Sequence, residues 1–122
     1  MTMTQAIIPS NDALNSPATR RELAIAAWLS EKSALSHSAE TKRAYSAMIA
    51  KFRQALQQAN LDLDSPYHQV SLVAQAFAGA GKPKAATYNR RLAVLSSFYD
   101  HAIKHGLLAP QNPIELVARR RT

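Results

Sequence analysis

Apolar side chains return at helical spacing from about position 19 to position 105, with three interruptions, and this rhythm predicts four helices. No segment needs a strand. The first helix opens at Pro17-Ala18-Thr19 with Thr19 as its N-cap, and Leu23, Ala26, Ala27 and Leu29 form its inward stripe. Trp28, the only tryptophan, is expected to pack on the bundle rather than stack on a base. Leu35-Ser36-His37-Ser38 breaks the pattern. Ser38 then caps a second helix, whose first turn carries Glu40 where the helix dipole favours an acid, and which runs to about Gln58. Its stripe is Tyr45, Ile49, Phe52 and Leu56, with Met48 at the edge, and its other face holds Arg43, Ser46, Ala50, Arg53, Gln54 and Gln57.

Asn60 to Pro66 reads as a loop that ends in a helix start, with Asp64 or Ser65 as cap and Pro66 in the first helical position. Val70, Val73 and Phe77, with Leu72 and Ala76 nearby, predict a short third helix that Gly79-Ala80-Gly81 ends. The fourth is expected from Lys84 to His105, stopped by Gly106. Tyr88, Leu92, Leu95, Phe98, Tyr99 and Ala102 make its apolar stripe. A rotation of about 100° per residue puts Ala86, Asn89, Arg90, Ala93 and Ser97 opposite, with Arg91 nearer the buried edge. A short apolar segment, Ile114 to Val117, precedes Arg119-Arg120-Arg121.

Length and polarity divide the chain further. Its 122 residues suit one domain. Residues 1–17 hold too few aliphatics to offset the entropy of ordering them and are expected to be a flexible lead, with the helical domain over 18–118 and a basic linker starting at 119–122. The net charge of +7 is uneven: residues 1–39 sum to zero, 40–53 to +3, 54–81 to −2 and 82–122 to +6. Two separate basic clusters favour a polyanion, because each neutralised phosphate releases counterion. No helix pairs a broad apolar face with a uniformly basic one, so a membrane surface fits less well, and no signal peptide or spanning segment is visible. A cytoplasmic location is expected, and the absence of cysteine agrees with it.

The chemistry expected of an enzyme does not assemble. Asp62 and Asp64 lack the glycine and closing glutamate of a calcium loop, and Gly79 to Lys84 lacks the spacing of a phosphate cradle. His101 and His105 share a helix face, but Ala102 stands where a zinc protease has its glutamate, so both are read as solvated or capping histidines. No metal or cofactor is expected. The acids form no working pair and no serine sits in a nucleophile elbow, so the chain is read as a binder without catalysis of its own.

Ser36-His37-Ser38-Ala39-Glu40-Thr41-Lys42-Arg43-Ala44-Tyr45, followed by Phe52, resembles the opening of the N-terminal core-binding domain of tyrosine recombinases, the phage-integrase and Xer-like family. Thr87 to Tyr99, followed by Gly106-Leu107-Leu108 and Asn112-Pro113, is similar to that domain's last long helix and exit turn. The resemblance covers residues 20–118 and implies an all-α fold, a compact orthogonal SAM-like bundle of four main helices that forms half of a clamp around duplex DNA. It implies that the family's catalytic residues lie in a larger C-terminal domain, to which nothing here corresponds, so that the chain reads as a domain of a longer recombinase or as a free-standing relative that binds without cutting, and that neighbouring protomers touch through their N-terminal domains. Tyr45, Tyr88 and Tyr99 are read as core residues and not as nucleophiles.

Carried over by position, the resemblance puts Thr41, Lys42 and Arg43 near phosphate and Ser46, Ala50, Arg53 and Gln54 toward DNA on the second helix. On the fourth it does the same for Lys84, Thr87, Asn89, Arg90 and Arg91. Arg can read guanine and Asn adenine through paired bonds, which makes Arg90 the leading candidate to read a base. The competing expectation is a helical protein-interaction or regulatory module with Trp28 in its contact surface. A helix-turn-helix reading is weaker, because the turn between the second and third helices is too long.

Overall fold

The computed structural model describes residues 16–36 and 38–122, so the lead expected over 1–17 falls almost wholly outside the described residues, as does His37. The described chain is all-helical: α1 Pro17–Ser36, α2 Ala39–Gln58, α3 Tyr67–Ala78, α4 Ala85–Lys104 and a 3-10 turn Pro113–Leu116. α4 is the hub. It packs against the other three helices and the 3-10 turn, and buries Tyr88, Leu92, Val94, Leu95, Phe98, Tyr99 and Ala102. Every residue of its expected stripe is buried, because a strict helical period over twenty residues leaves one rotation that covers them all.

α1 differs from the expectation. It starts at Pro17, where the Ser16 carbonyl accepts the Arg20 amide, so Thr19 lies inside the first turn and is not the cap. Ala24 and Trp28 are its buried residues, whereas Leu23 is 40% exposed and Ala26 and Ala27 face out. The expected stripe was rotated away from the true one because alanine on every side gives α1 almost no apolar asymmetry, and the one large ring sets the rotation. Trp28 is fully buried. It stacks on Tyr45 at 5.3 Å between ring centroids, meets Phe98 edge-on at 5.5 Å and donates from Nε1 to the Ser97 hydroxyl at 3.1 Å. Those contacts join α1 to both α2 and α4, and they remove Trp28 from any contact surface.

The caps explain where the elements stop. The Ser38 hydroxyl accepts the Thr41 amide at 3.3 Å, as expected of an N-cap. At the other end of α2, Asn60 takes φ +61° while Leu61 N–H bonds Leu56 O and Asn60 N–H bonds Gln57 O. That is a Schellman closure with asparagine in the place of glycine. Gly106, at φ +70°, closes α4 in the same way through Leu107 to Ala102 and Gly106 to Ile103. α3 starts one residue later than expected, with Pro66 as cap residue, and Ser65 instead accepts the Asp62 amide within the loop. Val70, Ala74 and Ala78 form its buried line, Val73 and Phe77 are half-buried, and Leu72 points out at 68% exposure.

Two buried polar groups tie the loops to α4. The Tyr99 hydroxyl donates to the Leu63 carbonyl at 2.8 Å, and burial together with the charges of Asp62 and Asp64 pushes that phenol well above its usual range. The Asn112 amide donates to the Ser96 carbonyl and hydroxyl and to Asp100, while its own oxygen accepts the Ile114 amide at 2.9 Å. The Asn-Pro pair therefore folds the chain back onto α4 and starts the 3-10 turn.

Candidate nucleic-acid interface

Two grooves meet on the outer side of α2. One lies against α1 and is walled by Ser33, Ser38, Ala39, Lys42, Arg43, Ser46, Ala47 and Ala50. The other lies toward α4 and is walled by Ala44, Ala47, Met48, Lys51, Phe77, Ala80 and Arg91. Ala47 belongs to both. Small residues keep the ridge between the grooves low, and a cation pair borders each side: Lys42 with Arg43, and Lys51 with Arg91.

α1 runs antiparallel to α2, and this separates residues that share one side of the α2 cylinder. Ser33, late in α1, faces the start of α2, while Glu22, early in α1, reaches Arg53 at 2.8 Å. Arg53 also bonds Asp62 from Nε at 3.0 Å, and Arg21 approaches Asp62 at 3.2 Å and Asp64 at 2.9 Å. Arg53 thus sits within an ion network that joins α1, α2 and the loop before α3, and those carboxylates raise its pKa. Burial alone would raise the Asp62 carboxyl. The bonds from Arg53 and the Leu63 amide, with the charges of Arg53 and Arg21, outweigh burial and hold it below the usual range.

The sequence-derived candidates accordingly sort into groups. Lys42, Arg43, Ser46 and Gln54 are exposed on α2, and Thr41 is half-buried in its first turn. Arg43 pairs with Glu40, and with side chains 73% and 80% exposed that contact is open to solvent screening. Lys84, the residue before α4, is exposed, as are Thr87 and Arg90 in its first turns. Arg53, Asn89 and Arg91 have their polar groups engaged within the chain. Arg91 donates to the carbonyls of Ala78 and Ala80 at 3.0 and 2.9 Å, satisfying the end of α3. Asn89 bonds the backbone of Arg120 in both directions, at 2.7 and 2.8 Å. Lys51 is an exposed cation on the groove wall that was not among the candidates, and its signal was its place one turn after Ala47.

The remaining candidates for chemistry are structural. Tyr88 and Tyr99 are buried and Tyr45 is half-buried under Trp28. Of the two histidines expected to be solvated or capping, His105 is exposed at the C-cap of α4, whereas the His101 side chain is only 9% exposed, with Nε2 3.7 Å from Glu31 and its ring 4.5 Å from that of His105. Burial pushes the His101 pKa below the usual value, against the pull of Glu31. Among the described residues no cluster of His, Asp or Glu could hold a metal ion, and no helix is long and apolar enough to cross a membrane.

Residues 25–106 match the family model of the phage integrase N-terminal SAM-like domain. The chain belongs to that family. The match begins within α1 and runs through the Gly106 closure of α4, so it takes in the later part of α1, the other three helices and both grooves. No curated protein and no solved structure matches the chain. The family gives the domain a recombinase-related context, and the part of an integrase that it represents is the non-catalytic N-terminal one.

Proposed function

We propose that this integrase-type domain binds duplex DNA as the core-binding domain of a site-specific tyrosine recombinase. It holds the recombination site for a C-terminal catalytic domain of the same parent chain, alongside neighbouring protomers. The observation that carries this reading is the pair of grooves that share Ala47, each bordered by two cations, the one against α1 otherwise lined by Ser and Ala and the other also by Met48 and Phe77. A low ridge lets a phosphate backbone come close, and cations on both sides of it meet successive phosphates. Lys42, Arg43, Lys51 and the charge of Arg91 take phosphate, while Ser46 and Gln54 lie on the same outward side of α2. Arg90, exposed in the first turns of α4, is the residue assigned to base edges.

The rival reading as a protein-interaction module loses support with Trp28, which is fully buried. Titrating a labelled mixed-sequence duplex with the domain and following anisotropy over a salt series tests the proposal. Affinity is expected to fall steeply with salt, and Arg43→Ala with Arg90→Ala to weaken binding while the helical spectrum stays unchanged. Affinity indifferent to salt, or untouched by both substitutions, overturns it.

A further inference from the structure

The basic end of the chain is docked against the bundle, and Asn89 is the centre of that docking. Its side-chain Nδ2 donates to the Arg120 carbonyl at 2.7 Å, and its Oδ1 accepts the Arg120 amide at 2.8 Å. One side chain thus satisfies both backbone groups of one residue, as a neighbouring strand would. Around it the Tyr88 hydroxyl donates to the Ala118 carbonyl at 3.3 Å, and the Arg120 guanidinium lies 3.8 Å over the Tyr88 ring. Tyr88 is itself 3% exposed and fixed in the core, so both contacts are anchored to α4.

We infer that Asn89 is the positioning residue of a clamp that gives the segment Ala118 to Arg121 one course across the first turns of α4. The clamp makes the three consecutive arginines unequal. Arg120 is spent on Tyr88, and Arg119 is turned into the hollow between α1 and α4 that Glu31, Ser97 and Lys104 also line. All three remain exposed to solvent, so it is their contacts and not their burial that tell them apart. A run that composition presents as a free polycation is thereby held as a directed arm, and the direction in which the chain leaves the bundle depends on residue 89. The inference goes beyond DNA binding and stands whether or not the grooves bind a duplex.

Amide hydrogen exchange on the unliganded domain tests it, read residue by residue. In the wild type the Arg120 amide is expected to be protected relative to Arg121 and Thr122. Asn89→Ala should speed its exchange roughly tenfold, the scale of losing one or two hydrogen bonds. Asn89→Asp keeps an acceptor for the Arg120 amide but sets a carboxylate against the Arg120 carbonyl, and should loosen the arm with little change in volume. In both variants the amides of Leu95 and Phe98, in the core of α4, should exchange as in the wild type, which separates arm release from unfolding. Trypsin cleavage after Arg119 and Arg120 should accelerate in parallel. An Arg120 amide as fast as that of Thr122 in the wild type, or one equally slow in both variants, overturns the inference.

Discussion

Arg53 and Asp62 form a two-pronged contact, Nε to Oδ1 at 3.0 Å and Nη2 to Oδ2 at 3.3 Å, which fastens the second half of α2 to the loop that leads into α3. Their side chains are 21% and 22% exposed, so the pair is screened less than a surface contact and more than a buried one. Asp62→Ala removes one partner each from Arg53 and Arg21, leaving two guanidinium groups close together with only Glu22 and Asp64 to pair with them. We expect a loss of about 2 kcal/mol of stability by urea unfolding. Glu40→Ala, which breaks the exposed pair with Arg43, should leave the unfolding midpoint nearly unchanged.

The same contacts fix the dependence of stability on pH. The folded state holds the Asp62 carboxyl below its usual 3.8. Its contribution is therefore complete above about that pH and is lost as pH falls through the folded value. His101 acts in a higher window. Its folded pKa lies below its usual 6.5, so the unfolded chain takes up the proton first, and stability falls as pH drops from above 6.5 toward the folded value. Glu31 opposes this shift, while His105, Lys104 and Lys32 reinforce it. Urea midpoints across a pH series should show both declines. His101→Gln should flatten the one nearer neutrality and Asp62→Asn the acidic one.

What the sequence disclosed follows from how far each signal reaches along the chain. The stripes of α2 and α4 were legible because large apolar residues and polar ones separate cleanly around each helix. α1 was not, since its rotation is set by Trp28 meeting Tyr45 and Phe98, residues far along the sequence. Arg53 was placed on an open face because helical rotation says nothing of the antiparallel neighbour that brings Glu22 against it. Asn89 was expected to face outward, yet it is half-buried under the Arg120 backbone, because an amide able to read adenine can equally read a backbone pair. Its partner, Arg120, lies thirty-one residues away at no periodic spacing.

Trp28 offers a direct report on the core. Its ring is fully buried and its Nε1 is satisfied by Ser97, so emission should be blue-shifted in the folded domain, unmoved by added duplex, and red-shifted on unfolding. Trp28→Ala should cost about 3–5 kcal/mol, enough to unfold much of a small domain. Trp28→Phe keeps the stacking on Tyr45 and loses the hydrogen bond and part of the volume, so a smaller loss of about 1–2 kcal/mol is expected.

Lys51 and Arg53 stand two residues apart on α2 and should fail in opposite assays. Lys51 is exposed at the edge of the groove shared with Arg91, where the proposed function has it meet a phosphate and where it has no part in the ion network of Arg53. Lys51→Ala should therefore leave the unfolding midpoint in place while lowering affinity for duplex, and should reduce the slope of log affinity against log salt by about one. Arg53 is engaged by Glu22 and Asp62. Arg53→Ala should lower the unfolding midpoint, yet among molecules still folded it should bind duplex with nearly the wild-type salt slope. Parallel urea and anisotropy measurements on the two variants check the contrast. If Arg53→Ala lost the salt slope and Lys51→Ala kept it, the DNA-facing side of α2 would be the one toward the start of α1, and the grooves that share Ala47 would not be the interface.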